Sequence, residues 1–320
     1  MSKLNHYFWN PSEKRLRAGW RLTLQLMLNL GGAIVFVTLV PYTPLNQWPT
    51  LVKDAVGYSI LLAITLFSVW FAGCFFDRRE WRDFGITPTQ SIWRQDFGVG
   101  AAVGMGLIIL LAGIAVALGI IRLELTFTSG IAGLPFPVAI LMTLLTYGAV
   151  GCFEESARAY QIRNLFEGFA DTRLGLRGAA VISVSGAAML SVMMHSGTPL
   201  FLLYVFVSMS ILGLFYLLTG RAAMAMGYHV AWDFTLTAVF GIGALLGESE
   251  YVGLFTPHLT DLVQTGGDGV EINGVLILMA TAVVVLQITS WLPLLGWVHW
   301  RTGHVRIRAK MAYPTLRSKD

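Results

Sequence analysis

Four stretches of this chain, at about residues 22–40, 55–76, 98–121 and 272–298, are almost purely apolar and run for roughly 20 residues each. That is the length a helix needs to cross the hydrocarbon core of a bilayer. Four further stretches, at about 134–153, 178–195, 199–219 and 222–246, have the length but admit polar residues. The expected fold is therefore all-α, a polytopic membrane bundle of about eight transmembrane helices. Backbone exposed to lipid must satisfy its own hydrogen bonds, which favours helices throughout. Composition agrees: 12 % of residues are charged and 55 % hydrophobic, against roughly a quarter charged in soluble proteins. A soluble globular enzyme, a disordered chain and a nucleic-acid binder are excluded. Cys74 and Cys152 both lie in apolar runs and read as packed thiols, too few for a disulfide framework.

The basic residues test that count. With eight spans, 20 of the 22 Lys and Arg fall on one side: the N-terminal segment, the 77–96 loop, the connection after the fourth span, Arg221 and the C-terminal tail. Only Lys53 and Arg122 fall on the other, where the 247–271 loop carries Glu248, Glu250, Asp261, Asp268 and Glu271 without any Lys or Arg. The positive-inside rule then puts both termini in the cytoplasm, in what reads as a prokaryotic plasma membrane. The net charge of +4 needs no acidic partner. The aromatic and basic lead-in from Phe8 to Arg21 is expected at the interface. Three parts follow: N-terminal membrane helices over 1–132, a polar-bearing core over 133–246, and an outer loop, closing helix and basic tail over 247–320.

Ionisable residues inside apolar surroundings are functional candidates by default, since each costs a few kcal/mol to insert. Three clusters stand out: Glu154-Glu155-Ser-Ala-Arg158, His195 closing a run from Ala188, and His229-Val-Ala-Trp-Asp233. Residues four apart share a helix face, so Glu154 can pair with Arg158, and His229 projects with Asp233. Glu155 is turned about 100° from Glu154. The midpoint between Glu154 and His195 falls in the turn-like stretch Asp171–Gly178, so an antiparallel hairpin would set the two level. Its inner end would project past the membrane and place Arg163, Glu167 and Asp171 in water. His229 would sit roughly 13 Å beyond the turn at Gly220-Arg221, at 1.5 Å per residue. Glu154, His195, His229 and Asp233 can thus converge. A carboxylate beside an imidazole suits general acid–base work on water, and a second His can donate to an oxyanion. The same four side chains would also serve as a zinc set. Each feature has a plainer reading: a solvated Glu-Glu helix end, a capping His, an i,i+4 pair that glues helices.

At these residues the sequence resembles the CPBP family of intramembrane proteases (the Abi family), which includes the CAAX prenyl endopeptidase, or type II CAAX protease. The family's ordered motifs are EExxxR, FxxxH and HxxxN. Here Glu154-Glu155 carries the first, His195 the second, and His229 with Asp233 the third, preceded by Thr219-Gly220-Arg221. The resemblance covers about residues 134–240. It implies an intramembrane endopeptidase of glutamate type, or a metal-dependent one, acting on a membrane-tethered peptide or protein. Glu154 and His195 would activate water, His229 and Asp233 would stabilise the tetrahedral intermediate, and Glu155 and Arg158 would support the site. Three departures bear on this. The spacing is EExxR, one residue short, so either Glu154 keeps its role through a local helix irregularity or Phe153 replaces the first Glu. Ser191 stands where the family has Phe, and Asp233 where it has Asn. These departures motivate an alternative, a non-catalytic relative that binds peptides for immunity or sequestration. A transporter is a third reading, without an inverted repeat to support it.

Overall fold

The computed structural model describes residues 7–245, 250–260 and 281–313. A two-residue β1 (Trp9–Asn10) pairs antiparallel with β2 (Arg15–Leu16) and leads into helix α1 (Ala18–Leu39). Helices α2 (Thr50–Ala72) and α3 (Ser91–Ala117) follow, then strand β3 (Ile121–Thr128). Next come α4 (Phe136–Ala170), α5 (Gly175–Met193), α6 (Pro199–Thr219) and α7 (Ala223–Phe234). Strand β4 (Gly253–Leu259) pairs antiparallel with β3. A last helix, Thr281–Thr302, ends in α8 (Trp291–Thr302).

Among the described residues seven helices are long and apolar enough to cross a membrane, so this is an integral membrane helical bundle. The expected eighth, 222–246, is α7 continued by a π turn, Thr235–Val239, which stops at left-handed Gly241. That element is shorter than the roughly 20 residues a span requires. Helices do not run throughout. The β3–β4 pair crosses between the two connections at one end of the bundle, where Thr126 and Thr256 hydroxyls meet at 2.7 Å. Of the acidic residues expected in the 247–271 loop, Glu248, Asp261, Asp268 and Glu271 lie outside the described residues, as does the stretch 272–280 of the expected last span.

Local chemistry explains the turns. Thr198 caps α6, its side chain accepting from the Phe201 N–H at 3.2 Å, and Pro199 opens the helix. Gly220 ends it in the left-handed conformation. The Thr219 hydroxyl accepts from the Arg221 N–H at 3.2 Å and donates to the Phe215 carbonyl, which ties Thr-Gly-Arg into a compact turn. The chain re-enters the bundle as α7, which packs against α3 backbone to backbone. A Cβ on Gly227 would lie 2.0 Å from the Phe97 carbonyl oxygen, and one on Gly104 2.5 Å from that of Tyr228. Small residues at such a crossing let van der Waals contact replace the missing hydrophobic drive in lipid.

Helix α4 has 35 residues, about 52 Å at 1.5 Å per residue, against a hydrocarbon core of about 30 Å. It must project, as expected of the hairpin's inner end. Arg163 and Glu167 are nevertheless buried rather than in water; Asp171 alone of the three is exposed. The N-terminal hairpin and the segment after α2 fold over this end of α4. Glu167 pairs with Arg15, Arg21 and Arg79, and Asp77 with Arg21 at 3.2 Å and with the Tyr160 hydroxyl. The lead-in therefore docks on the bundle as well, with Phe8 stacked on Trp20 at 4.5 Å.

Candidate functional site

The candidate site lies where α4, α5, α6 and α7 face one another. It is a cavity of about 430 Å³, and Glu154, His195, His229 and Asp233 all line it. Four side chains separated by up to 79 positions in the sequence are thus brought to one space. Gly151 permits this on the α4 side: a Cβ there would stand 3.1 Å from the Val230 nitrogen and 3.5 Å from the His229 Cβ, so α7 seats directly against the turn before Glu154.

The two adjacent glutamates have separate environments. Glu155 is turned into the α4–α7 contact and buried, its Oε1 taking both the Arg158 guanidinium and the His229 Nδ1 at 3.0 Å. Glu154 faces the cavity with 19 % of its side chain exposed against 3 % for Glu155, and Arg158 reaches it only at 3.6 Å. The expected Glu154–Arg158 pairing is therefore secondary to Glu155–Arg158. No local irregularity absorbs the shortened spacing, because α4 is regular α-helix through this stretch. Phe153 takes another direction and stacks on Tyr58 at 6.3 Å.

The histidines differ too. His195 sits just past the end of α5, and its Nδ1 lies 2.8 Å from the Ser191 carbonyl oxygen. A carbonyl can only accept, so Nδ1 carries the hydrogen and the neutral ring keeps its lone pair on Nε2. His229 is held at both nitrogens, Nδ1 by Glu155 and Nε2 by Asp233 Oδ2 at 3.3 Å. His229 and Asp233 project together, as their i,i+4 spacing predicts. Ser191, which stands where the family has Phe, is a polar tie: its hydroxyl accepts from Arg158 Nη2 at 3.0 Å while its carbonyl holds His195.

The zinc expectation can be tested on these donors. Both His229 nitrogens are occupied by carboxylates. Among the described residues no group of three or more His, Cys, Asp or Glu side chains is disposed to hold a metal ion. The four residues share a cavity without forming a ligand set.

Sequence reasoning missed part of the wall. Asp54, Tyr58 and Tyr147 line the cavity from α2 and α4, and Phe201 and Tyr204 from α6. Phe201 packs 6.2 Å from the His195 ring, and Tyr204 lies 6.4 Å from that of Trp232. These aromatics of α6 both pack and line the cavity. Asp54, a carboxylate at the entrance of an apolar span, was the available signal.

These observations define a class: an integral membrane protein with carboxylates and imidazoles gathered around an internal cavity. The comparison with protein families makes it particular. A family described as Rce1-like, type II CAAX prenyl endopeptidase Rce1-like, matches residues 135–235, which take in Glu154, His195, His229 and Asp233. Over that stretch the chain is similar to the CAAX-protease-like family, a family of peptidases. No curated protein and no solved structure matches it.

Proposed function

We propose that this protein is an intramembrane endopeptidase of the CAAX-protease type that hydrolyses a peptide bond of a membrane-tethered peptide or protein. The observation that carries the reading is the division of labour between the glutamates. Glu155 absorbs Arg158 and His229, which leaves Glu154 facing the cavity beside His195. Glu154 takes a proton from water as the water oxygen attacks the scissile carbonyl carbon, and His195 Nε2 accepts the second water hydrogen and orients the nucleophile. A His229 N–H turned from Asp233 donates to the developing oxyanion. Collapse breaks the C–N bond, and Glu154 returns its proton to the leaving amine. Glu155 and Arg158 position His229 and Ser191.

The proposal also keeps the basic end of the bundle cytoplasmic, in a prokaryotic plasma membrane, with the three-part division at about 132 and 246. The test is cleavage of a tethered reporter peptide in liposomes by wild type and Glu154→Ala. Cleavage lost in the variant is expected; equal cleavage by both rejects the assignment. The second reading, a peptide-binding relative without activity, is favoured by one observation: both His229 nitrogens are already engaged. His195→Ala and His229→Ala separate the two, since they abolish cleavage in an enzyme and leave capture of the peptide intact in a binding protein.

A further inference from the structure

A second cavity of about 430 Å³ opens at the basic end of the bundle, and its lining shares no residue with that of the first. Arg163, which helps to line it, lies nine residues beyond Glu154 on α4, about 13 Å along the axis. The walls come from four separate segments: the connection between α2 and α3, α4, the Thr-Gly-Arg turn, and the stretch after α8. Arg82, Arg163, Arg221, Arg308 and Lys310 line it against one carboxylate, that of Asp83.

Pairing does not remove the excess. Arg82 is matched by Glu80, and Arg221 by Asp96 at 2.7 Å, although Asp96 must also serve Arg301. Among the described residues no carboxylate pairs with Arg163, Arg308 or Lys310; the Arg308 side chain reaches only the Leu218 carbonyl, at 3.3 Å. Arg163 is 7 % exposed, and its Nε is buried without a hydrogen-bond partner. Arg221 Nη2 and the Thr87 hydroxyl are likewise buried and unsatisfied. Leaving such groups unmade is costly, more so for charged ones. Burial, with Arg221 and Arg301 adding like charge, holds the Arg308 guanidinium below its ordinary value.

We propose that this cavity binds a phosphate group, presented at the membrane surface by an acidic phospholipid. Donors converging from four segments suit tetrahedral oxygens, and guanidinium is the side chain that best matches phosphate. Basic pockets between membrane helices are also where anionic headgroups are held. Such a ligand would clamp the α6–α7 turn, and with it the start of α7, to the segment after α8.

The test uses the full-length protein in detergent, with thermal unfolding followed at matched ionic strength. Dioctanoyl phosphatidic acid, dioctanoyl phosphatidylcholine and inorganic phosphate are titrated separately. The expected result is a saturable rise in melting temperature with phosphatidic acid and none with phosphatidylcholine. The apparent affinity should fall about tenfold in Arg163→Gln and Arg308→Gln, one charge-assisted hydrogen bond converted to binding. Lys310→Gln, on the exposed rim, gives a smaller loss and serves if the buried variants do not fold. A rise with inorganic phosphate at the same affinity, lost in the same variants, overturns the lipid source while keeping the phosphate site. No saturable shift from either anion, or shifts unchanged in all three variants, overturns the site itself.

Discussion

Two groups of buried charge sit on the same helix, α4, little more than three turns apart, and they are built from similar residue types. Around Glu167 the carboxylates are tied up in ion pairs: Arg15, Arg21 and Arg79 converge on Glu167, and Arg21 and Tyr160 on Asp77. Around Glu154 the pairing stops short. Glu155 is saturated by Arg158 and His229, while Glu154, His195 and Asp233 turn toward a cavity. Buried charge in a membrane protein is a functional candidate by default, yet only one of these groups leaves reactive atoms facing open space. The other fastens the N-terminal hairpin and the segment after α2 to the projecting end of α4. Burial and charge alone therefore do not mark a site; unused donor and acceptor capacity next to a cavity does.

The sharpest way to break this contrast is to remove one carboxylate from each group. Glu154→Gln should lower turnover of a tethered reporter by about 10²–10⁴-fold, the contribution of a positioned acid–base group. Its melting temperature should stay that of wild type, because Arg158 keeps Glu155. Glu167→Ala should do the reverse. Three arginines lose their shared partner, at a cost of about 3–5 kcal/mol, seen as a large drop in melting temperature with turnover per folded molecule unchanged. If Glu167→Ala melts like wild type, the ion-paired cluster is not what holds the hairpin.

Gly227→Ala tests the backbone contact that delivers His229, since its Cβ would meet the Phe97 carbonyl oxygen at 2.0 Å. Overpacking of this kind costs about 1–3 kcal/mol, and both stability and turnover should fall. Asp233→Asn should cost about 1 kcal/mol or less in turnover, because the carboxamide oxygen still accepts from His229 and its N–H adds a donor. A chelator should leave wild type and this variant equally active; inhibition of wild type with an inactive Asn variant would restore the metal reading. The smallest effect is expected of Ser191→Ala, which removes the hydroxyl that Arg158 Nη2 reaches but keeps the carbonyl that holds His195. About 1 kcal/mol of stability should be lost, with turnover reduced several-fold at most.

Much of this architecture is legible in the amino-acid sequence. The spans of α1, α2 and α3 follow from apolar length alone, because a bilayer demands about 20 such residues regardless of what packs beside them. The placing of Glu154 and His195 on one cavity follows from the hairpin centred near Asp171–Gly178, and the pairing of His229 with Asp233 from helix periodicity. The fate of Arg163 and Glu167 is not legible there. Length says that α4 projects from the membrane, but not that Arg15, 152 positions before Glu167 in the chain, lies against it.

Ordered motifs, hydrophobic length and the one-sided distribution of Lys and Arg are properties of the chain read in one dimension. They determine a membrane bundle with its polar residues concentrated between 150 and 235. Which glutamate of the adjacent pair meets the cavity was decided by tertiary structure, through the close approach of α7 at Gly151 and Gly227 that presents His229 to Glu155. Ser191 likewise turned from a missing aromatic into a hydrogen-bonding tie, because Arg158 of α4 lies opposite it. The physical reason is the same in each case. A residue's face follows from its own helix, but the partner that occupies that face comes from a different helix, placed by packing.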